Sequence, residues 1–261
     1  FETPSLTIKD IKIHRKYPKV YNFDHIPSKD ISFIPKKSAS HLTISLLTIN
    51  FSQTFSFNHL KRFSHIKTLD LKFSETEIPI VSKVLPYLSH LKTLRLCYSS
   101  ELEHSSSKPF IDLLFRLKKL RLSSLTIIAV QFLNIREAKA FNSALTQFKT
   151  LKQLVLGIGA ASQFSHDEFY GLVPSAVTKI KALKSLEYIY FSGEFKSEQI
   201  QGLSQIIGEQ SLGLESLGLS LSIRDLNDEA INSFAENIKK FRDLKRLKIL
   251  LNTDYFVDYD V

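Results

Sequence analysis

The chain has 261 residues, 43% of them apolar, and a formal net charge of +9 at neutral pH. That apolar share supports a continuous core and excludes a disordered chain, while no apolar run reaches the roughly 18 to 20 residues that span a bilayer. The single cysteine, Cys97, excludes an intrachain disulfide framework and points to a reducing compartment.

Residues 1–40 follow no repeat. Leu6, Ile8, Ile11 and Ile13 alternate as one or two short strands would, and Pro18, Pro27 and Pro35 then interrupt regular structure. This stretch is read as an N-terminal cap, or as the tail of a preceding segment. The opening Phe1-Glu2-Thr3-Pro4 has no charged-then-apolar leader, so no secretory signal is expected.

From residue 41 onward one pattern returns, an apolar triplet spaced L-x-x-L-x-L. Its clearest copy is Leu91-Lys92-Thr93-Leu94-Arg95-Leu96. Others stand at Ile44-Leu47-Ile49, Ile66-Leu69-Leu71, Leu117-Leu120-Leu122, Leu151-Leu154-Leu156, Leu186-Ile189-Phe191, Leu214-Leu217-Leu219 and Leu244-Leu247-Ile249. Between the copies lie segments with helical spacing. Ile78, Val81, Val84, Leu85 and Leu88 mark one, and Phe110–Leu117 another, with Pro109 in its first turn and Ser107 as its cap. Ala138, Phe141, Leu145 and Phe148 form the stripe of a third. Ser165-His166-Asp167-Glu168 reads as a capping box, Ser197 caps Glu198–Ile207, and Asn227 caps Asp228–Phe241. A fixed strand–helix period of this kind is the mark of a solenoid. Two long intervals are expected to carry loops near Ser123–Leu133 and Gly157–Phe164.

Asp228-Glu229-Ala230, Phe234-Ala235-Glu236-Asn237 and the strand motif Leu244-Lys245-Arg246-Leu247-Lys248-Ile249 together make the chain resemble the leucine-rich-repeat family, in its ribonuclease-inhibitor-like class with long helical repeats. The resemblance spans residues 41–251. It departs from that class where a polar Asn or Cys is usual, with Ser74, Ser99, Leu125 and Gly159 in its place. It implies an α/β solenoid over residues 41–261, of about eight repeats, with parallel strands on a concave face and helices on a convex one. It also implies a protein-interaction role, although one fold hosts many functions.

Nothing in the sequence assembles a reaction centre, so no enzyme activity, cofactor or metal is expected. Ser165-His166-Asp167 are neighbours, and a catalytic relay needs side chains converging from separated positions. Gly157-Ile158-Gly159-Ala160-Ala161 lacks the full glycine fingerprint of a phosphate turn. No His-x-x-x-His or second cysteine gives zinc spacing. Cys97, next to Arg95 on a strand, is read as a packed thiol.

The informative surface is the set of residues that alternate with the inward leucines. Residues 1–150 hold 23 Lys+Arg against 11 Asp+Glu, and residues 151–261 hold 12 against 15. Lys72, Arg95, Lys119 and Arg121 are expected to meet in one basic patch on the concave face. Tyr188 and Tyr190 would supply apolar anchors, and Arg246 and Lys248 would add charge on the last strand. The row Lys67, Lys92, Lys118, Lys152 and Lys245 is expected at the strand starts, as solvated rim. The resulting reading is a non-catalytic scaffold, a subunit or domain of a larger assembly, that binds a protein with an acidic surface. The alternatives are a nucleic-acid-binding subunit using the basic N-terminal half and a ubiquitin-ligase substrate adaptor. An intracellular setting is expected, cytoplasmic or at the cytoskeleton or cilium, with a mitochondrial one as the alternative.

Overall fold

A computed structural model describes residues 6–14, 41–49, 66–99, 106–132, 134–160, 176–177, 179–190, 195–197, 200–203, 213–225 and 227–252. The strands are β1 (Leu6–His14), β2 (His41–Ile49), β3 (Thr68–Ser74), β4 (Thr93–Ser99), β5 (Ser124–Phe132), β6 (Gln153–Ala160), β7 (Ser185–Tyr190), β8 (Phe195–Lys196), β9 (Ser216–Asp225) and β10 (Arg246–Asn252). Among the described helices are α1 (Ile78–Val84), α2 (Lys108–Leu117), α3 (Ile135–Leu145) and α4 (Asp228–Ile238). The main sheet runs β1-β2-β3-β4-β5-β6-β7-β9-β10. β1 pairs antiparallel with β2, and every later neighbour on that path pairs parallel. The short β8 pairs with β9 beside the path. Strands in chain order, parallel and separated by helices, make this an α/β protein.

One recurring hydrogen-bond device spaces the units. The amides of Lys92 and Thr93 both donate to the carbonyl of Lys67, at 2.8 and 2.9 Å. The same pair of donors meets one carbonyl at Lys92, Ser123, Lys152, Lys184 and Glu215 in turn. The equivalent residues are thus 67, 92, 123, 152, 184, 215 and 245, separated by 25, 31, 29, 32, 31 and 30 residues.

This spacing corrects three of the sequence motifs. Leu117 ends α2, and Leu120 donates its amide to the Leu117 carbonyl in a turn. The fourth strand of the series is β5, the stretch expected to be a loop at Ser123–Leu133. Its anchors are Leu122, Leu125 and Ile127, with Leu94 opposite Leu125 and Leu96 opposite Ile127. In β7 the anchors are Leu183, Leu186 and Tyr188, because Leu154 pairs with Leu186 and Leu156 with Tyr188. In β2, Leu42 and Ile44 stand opposite Leu69 and Leu71, in the places the motif assigned to Leu47 and Ile49, five positions later. The cause is common to all three. Each stretch offers more than one run of apolar residues with the repeat's spacing, so a sequence match can slip, and only backbone pairing selects the register. The loop expected near Gly157–Phe164 is strand β6 as far as Ala160, and residues 161–164 lie outside the described residues.

The helices cover one sheet face. Leu94, Leu96, Leu125, Ile127, Leu154 and Leu156 are buried in a single cluster with Phe110, Leu113, Leu114, Ala138, Phe141 and Leu145. Aromatic rings extend the core beyond the leucine rows, where Tyr98 lies 5.3 Å from Phe110 and Phe132 lies 5.0 Å from Phe141, centroid to centroid. The expected stripe of α3 is all inside the core. Asn134 caps α3 by accepting from the Glu137 amide, and Asn227 caps α4 by accepting from the Ala230 amide at 2.8 Å. Ser107 occupies the α2 cap position without a capping bond, and the Ser106 hydroxyl accepts the Lys108 amide instead. Ser106 also donates to Glu137, and the Ser197 hydroxyl accepts the Asn227 amide, so side chains tie successive units together at the helix starts. The Ser165–Glu168 capping box and most of the helix assigned to Ser197 lie outside the described residues.

The core thins at its last strand, where Leu247 is 46% exposed while Leu94 is fully buried. Leu94→Ala is expected to cost about 2–5 kcal/mol, the range for a truncated core leucine, and Leu247→Ala less than about 1 kcal/mol. Chemical denaturation of both variants checks the contrast. Asn227→Ala should cost about 1 kcal/mol through loss of the α4 cap, read in the same experiment.

Candidate functional site

Strand alternation leaves three rows of side chains on the sheet face that the helices do not cover. Pairing along β3, β4, β5, β6, β7, β9 and β10 sets the first row as Thr68, Thr93, Ser124, Gln153, Ser185, Ser216 and Arg246. The second is Asp70, Arg95, Thr126, Val155, Glu187, Gly218 and Lys248. The third includes Cys97, Ile128, Gly157, Ile189, Ser220 and Leu250.

The expected four-cation patch does not assemble on this face. Arg95 is there, exposed, with the Asp70 carboxylate 3.8 Å away. Lys72 stands opposite Cys97 in the ladder, and its side chain lies outside the described residues. Lys119 and Arg121 precede β5, in the turn after α2, and are exposed at the edge of the sheet. The slip of the Leu117 motif had placed them on a strand. Tyr188 and Tyr190 are also displaced from the expected surface, each only 2% exposed within the core. The odd-numbered slip in β7 reverses which residues face inward. Ser185, Glu187 and Ile189 take the outward places, all half-buried. Arg246 and Lys248 are exposed on β10, as expected.

Sequence reasoning missed a long-reach pair. Lys248 on β10 lies 3.9 Å from Glu187 on β7, although β9 runs between them. Strands about 4.8 Å apart put those backbones nearly 10 Å from each other. Gly218 of β9 makes the crossing possible, because a Cβ there would meet the Glu187 Cγ at 3.1 Å. The signal was present in the sequence as a lone glycine within a strand, which often marks a close approach.

Between the Asp70–Arg95 and Glu187–Lys248 pairs lies a shallow apolar saddle of Cys97, Ile128, Val155, Gly157 and Ile189. A bulge in β5 sets Ile128 and its neighbour against the single residue Gly157. Gly157 is the floor there, since a Cβ would touch the Ile128 backbone and side chain at 3.4 Å. Among the described residues, no group of three His, Cys, Asp or Glu is placed to hold a metal ion, and no helix is long and apolar enough to cross a membrane.

The strand lead-ins form a second surface. The expected rim is partly redrawn by the pairing, with Ser123 at the place assigned to Lys118, and Lys184 and Glu215 added. Lys245 donates to Glu215 Oε2 at 3.0 Å, and Lys184 stands 3.7 Å from Oε1. The hydrogen bond and charge of Lys245, with a smaller pull from Lys184, hold the Glu215 carboxyl below its ordinary pKa.

A scan against protein-family models finds no matching family, and a search of curated proteins finds no match. Among solved structures, the tropomodulin C-terminal domain from Caenorhabditis elegans is similar to this chain at a TM-score of 0.42 and 10% identity, over 63% of this chain and 92% of that one.

Because the folded pKa of Glu215 is depressed, its ion pairs stabilise the fold above the ordinary glutamate range and lose that effect as pH falls through the folded value. An NMR titration of the Glu215 carboxyl should therefore give a midpoint below that of an unstructured glutamate. Lys245→Ala or high salt should raise it. Gly218→Ala should leave stability within about 1 kcal/mol, since the pair it disturbs is exposed. It should also abolish the coupling between Glu187 and Lys248 in a double-mutant cycle.

Proposed function

We propose that the chain is a leucine-rich-repeat solenoid of the ribonuclease-inhibitor-like class, and that it works without catalysis as a scaffold that binds another protein. The near-constant spacing of the shared-carbonyl device, with helices described between β3 and β4, β4 and β5, β5 and β6, and β9 and β10, supports the solenoid reading. The observation that carries the binding role is the saddle on the open sheet face. It presents half-buried branched apolar side chains at Ile128, Val155 and Ile189 on the sheet, between two ion pairs that neutralise their own charge. Apolar surface rimmed by polar groups is what a partner side chain buries most profitably, while charged residues at such a rim add selectivity.

The test compares Ile128→Glu/Ile189→Glu with Lys139→Glu on the helix-covered side. A partner isolated with the unaltered chain should bind the double variant at least about tenfold more weakly, a loss of about 1.4 kcal/mol. It should bind Lys139→Glu normally, with melting curves showing all three chains folded. Equal affinity for all three, or loss only in Lys139→Glu, would remove the open face as the binding surface.

A further inference from the structure

The positive charge expected on the open face is instead concentrated along the edge where the strands begin. In the described turns that lead into strands, the acids are Glu215 and Asp243, while the lead-in to β7 alone carries Lys179, Lys181 and Lys184. Helix C-termini end at this edge, and a cation within the last helical turn complements the dipole there. That does not account for Lys67, Lys92 and Lys152, which lie past the turns, directly before their strands, and are exposed.

The chain itself shows how this edge holds a carboxylate. Lys184, Glu215 and Lys245 occupy equivalent places in three successive units, and the Glu215 carboxylate sits between the two ammonium groups. Lys92, Ser123 and Lys152 occupy the same three places further up the array. Here the middle residue is a serine, whose hydroxyl donates to the Lys92 carbonyl at 3.1 Å. Two lysines again flank the position from adjacent strands, and among the described residues neither has an ion pair. The arrangement is that of the Glu215 clamp with its carboxylate missing.

We propose that this edge is a docking strip for an extended acidic segment of a partner protein, and that the notch at Ser123, between Lys92 and Lys152, receives one of its carboxylates. The strip from β3 to β7 crosses four strand spacings, about 19 Å, which some six residues of extended chain would span. Helix C-termini present carbonyls to this edge, so it lacks the helix N-terminal amides that commonly bind phosphate. Among the described residues the large exposed apolar side chains other than Tyr87 are Ile231 on α4 and Leu247, Ile249 and Leu250 on β10, away from the strip, so stacking platforms for nucleic acid bases are sparse there. Lysine stems reaching to carboxylates fit both facts. This deepens the scaffold reading by assigning an acidic partner to the edge, and it is tested with variants that leave the saddle intact.

The probe is a fluorescent peptide of about twelve residues alternating Glu and Ser, long enough to overrun the strip, followed by anisotropy at low salt. A single-stranded oligonucleotide of similar length is the second arm. Lys92→Gln/Lys152→Gln should weaken the peptide by roughly fivefold or more, and the charge-matched Lys108→Gln/Lys139→Gln by less than about twofold. Ser123→Glu fills the notch from within. It should weaken the peptide by roughly tenfold, with a melting temperature equal to or above that of the unaltered chain, while Ser143→Glu on α3 changes affinity less than about twofold. Equal weakening by the two lysine pairs, or by the two glutamate variants, would reduce the effect to net charge and overturn the proposal. So would failure of the peptide to bind. Tighter binding of the oligonucleotide than of the peptide would also overturn it, making the strip a nucleic-acid surface. If Ile128→Glu/Ile189→Glu binds the peptide normally, the edge and the saddle are separate surfaces, and either can fail without the other.

Discussion

At the start of β4, β5, β6, β7, β9 and β10 two consecutive amides share the carbonyl of the preceding unit, and the rest of the architecture depends on this small junction. It satisfies backbone donors that would otherwise be orphaned where a turn meets a strand. It also sets which residue of one strand lies beside which residue of the next. Side chains alternate with period two, so that choice decides at once which residues enter the core and which face outward. Lengths between junctions vary from 25 to 32 residues without disturbing the junction itself, because the added length goes into the connections.

Once register is set, packing follows. Leucine, isoleucine and tyrosine at equivalent places meet the apolar stripes of the helices. Beyond the leucine rows the rings of Phe73, Tyr98 and Phe110 fill the wider space that side chains of leucine size would leave. The opposite face has no covering layer among the described residues and is shaped by small side chains. Gly157 and Gly218 each lower the surface locally, one to make the floor of an apolar saddle and the other to let an ion pair pass over a strand. Individually these exposed ion pairs contribute little stability. Their larger effect is to neutralise the charge of Arg95 and Lys248 on either side of the saddle, while the lead-in edge carries its row of lysines.

That division gives the two surfaces different physics. The saddle is apolar, so burial of a partner there would depend little on salt. The edge is long, lysine-rich and weakened by screening. A partner engaging both would gain selectivity from the first and rapid association from the second. Glu215 shows that a carboxylate on the edge is held in its charged form by the flanking lysines, and the serine at the equivalent place three units earlier leaves the same clamp without its acid.

Much of this was legible in the sequence. The leucine spacing identified alternating strands and helices, the helical stripe of Ala138, Phe141 and Leu145 was assigned to the core, and Asn227 was recognised as a cap. These are local properties, written within a few residues and governed by periodicity and hydrogen-bonding capacity. Register was not legible in the same way. Around Leu117 and Leu186 the chain offers more than one run of apolar residues with the repeat's spacing, and each run is equally good until a neighbouring strand pairs with it. Three-dimensional pairing moved Lys119 and Arg121 to the edge, buried Tyr188 and Tyr190, and joined Glu187 to Lys248. Sequence by itself determined what kinds of element form and how often they recur, because those follow from neighbours along the chain. Tertiary structure alone decided which side chains share a face, because a slip of a single residue costs little locally yet inverts every position that follows it.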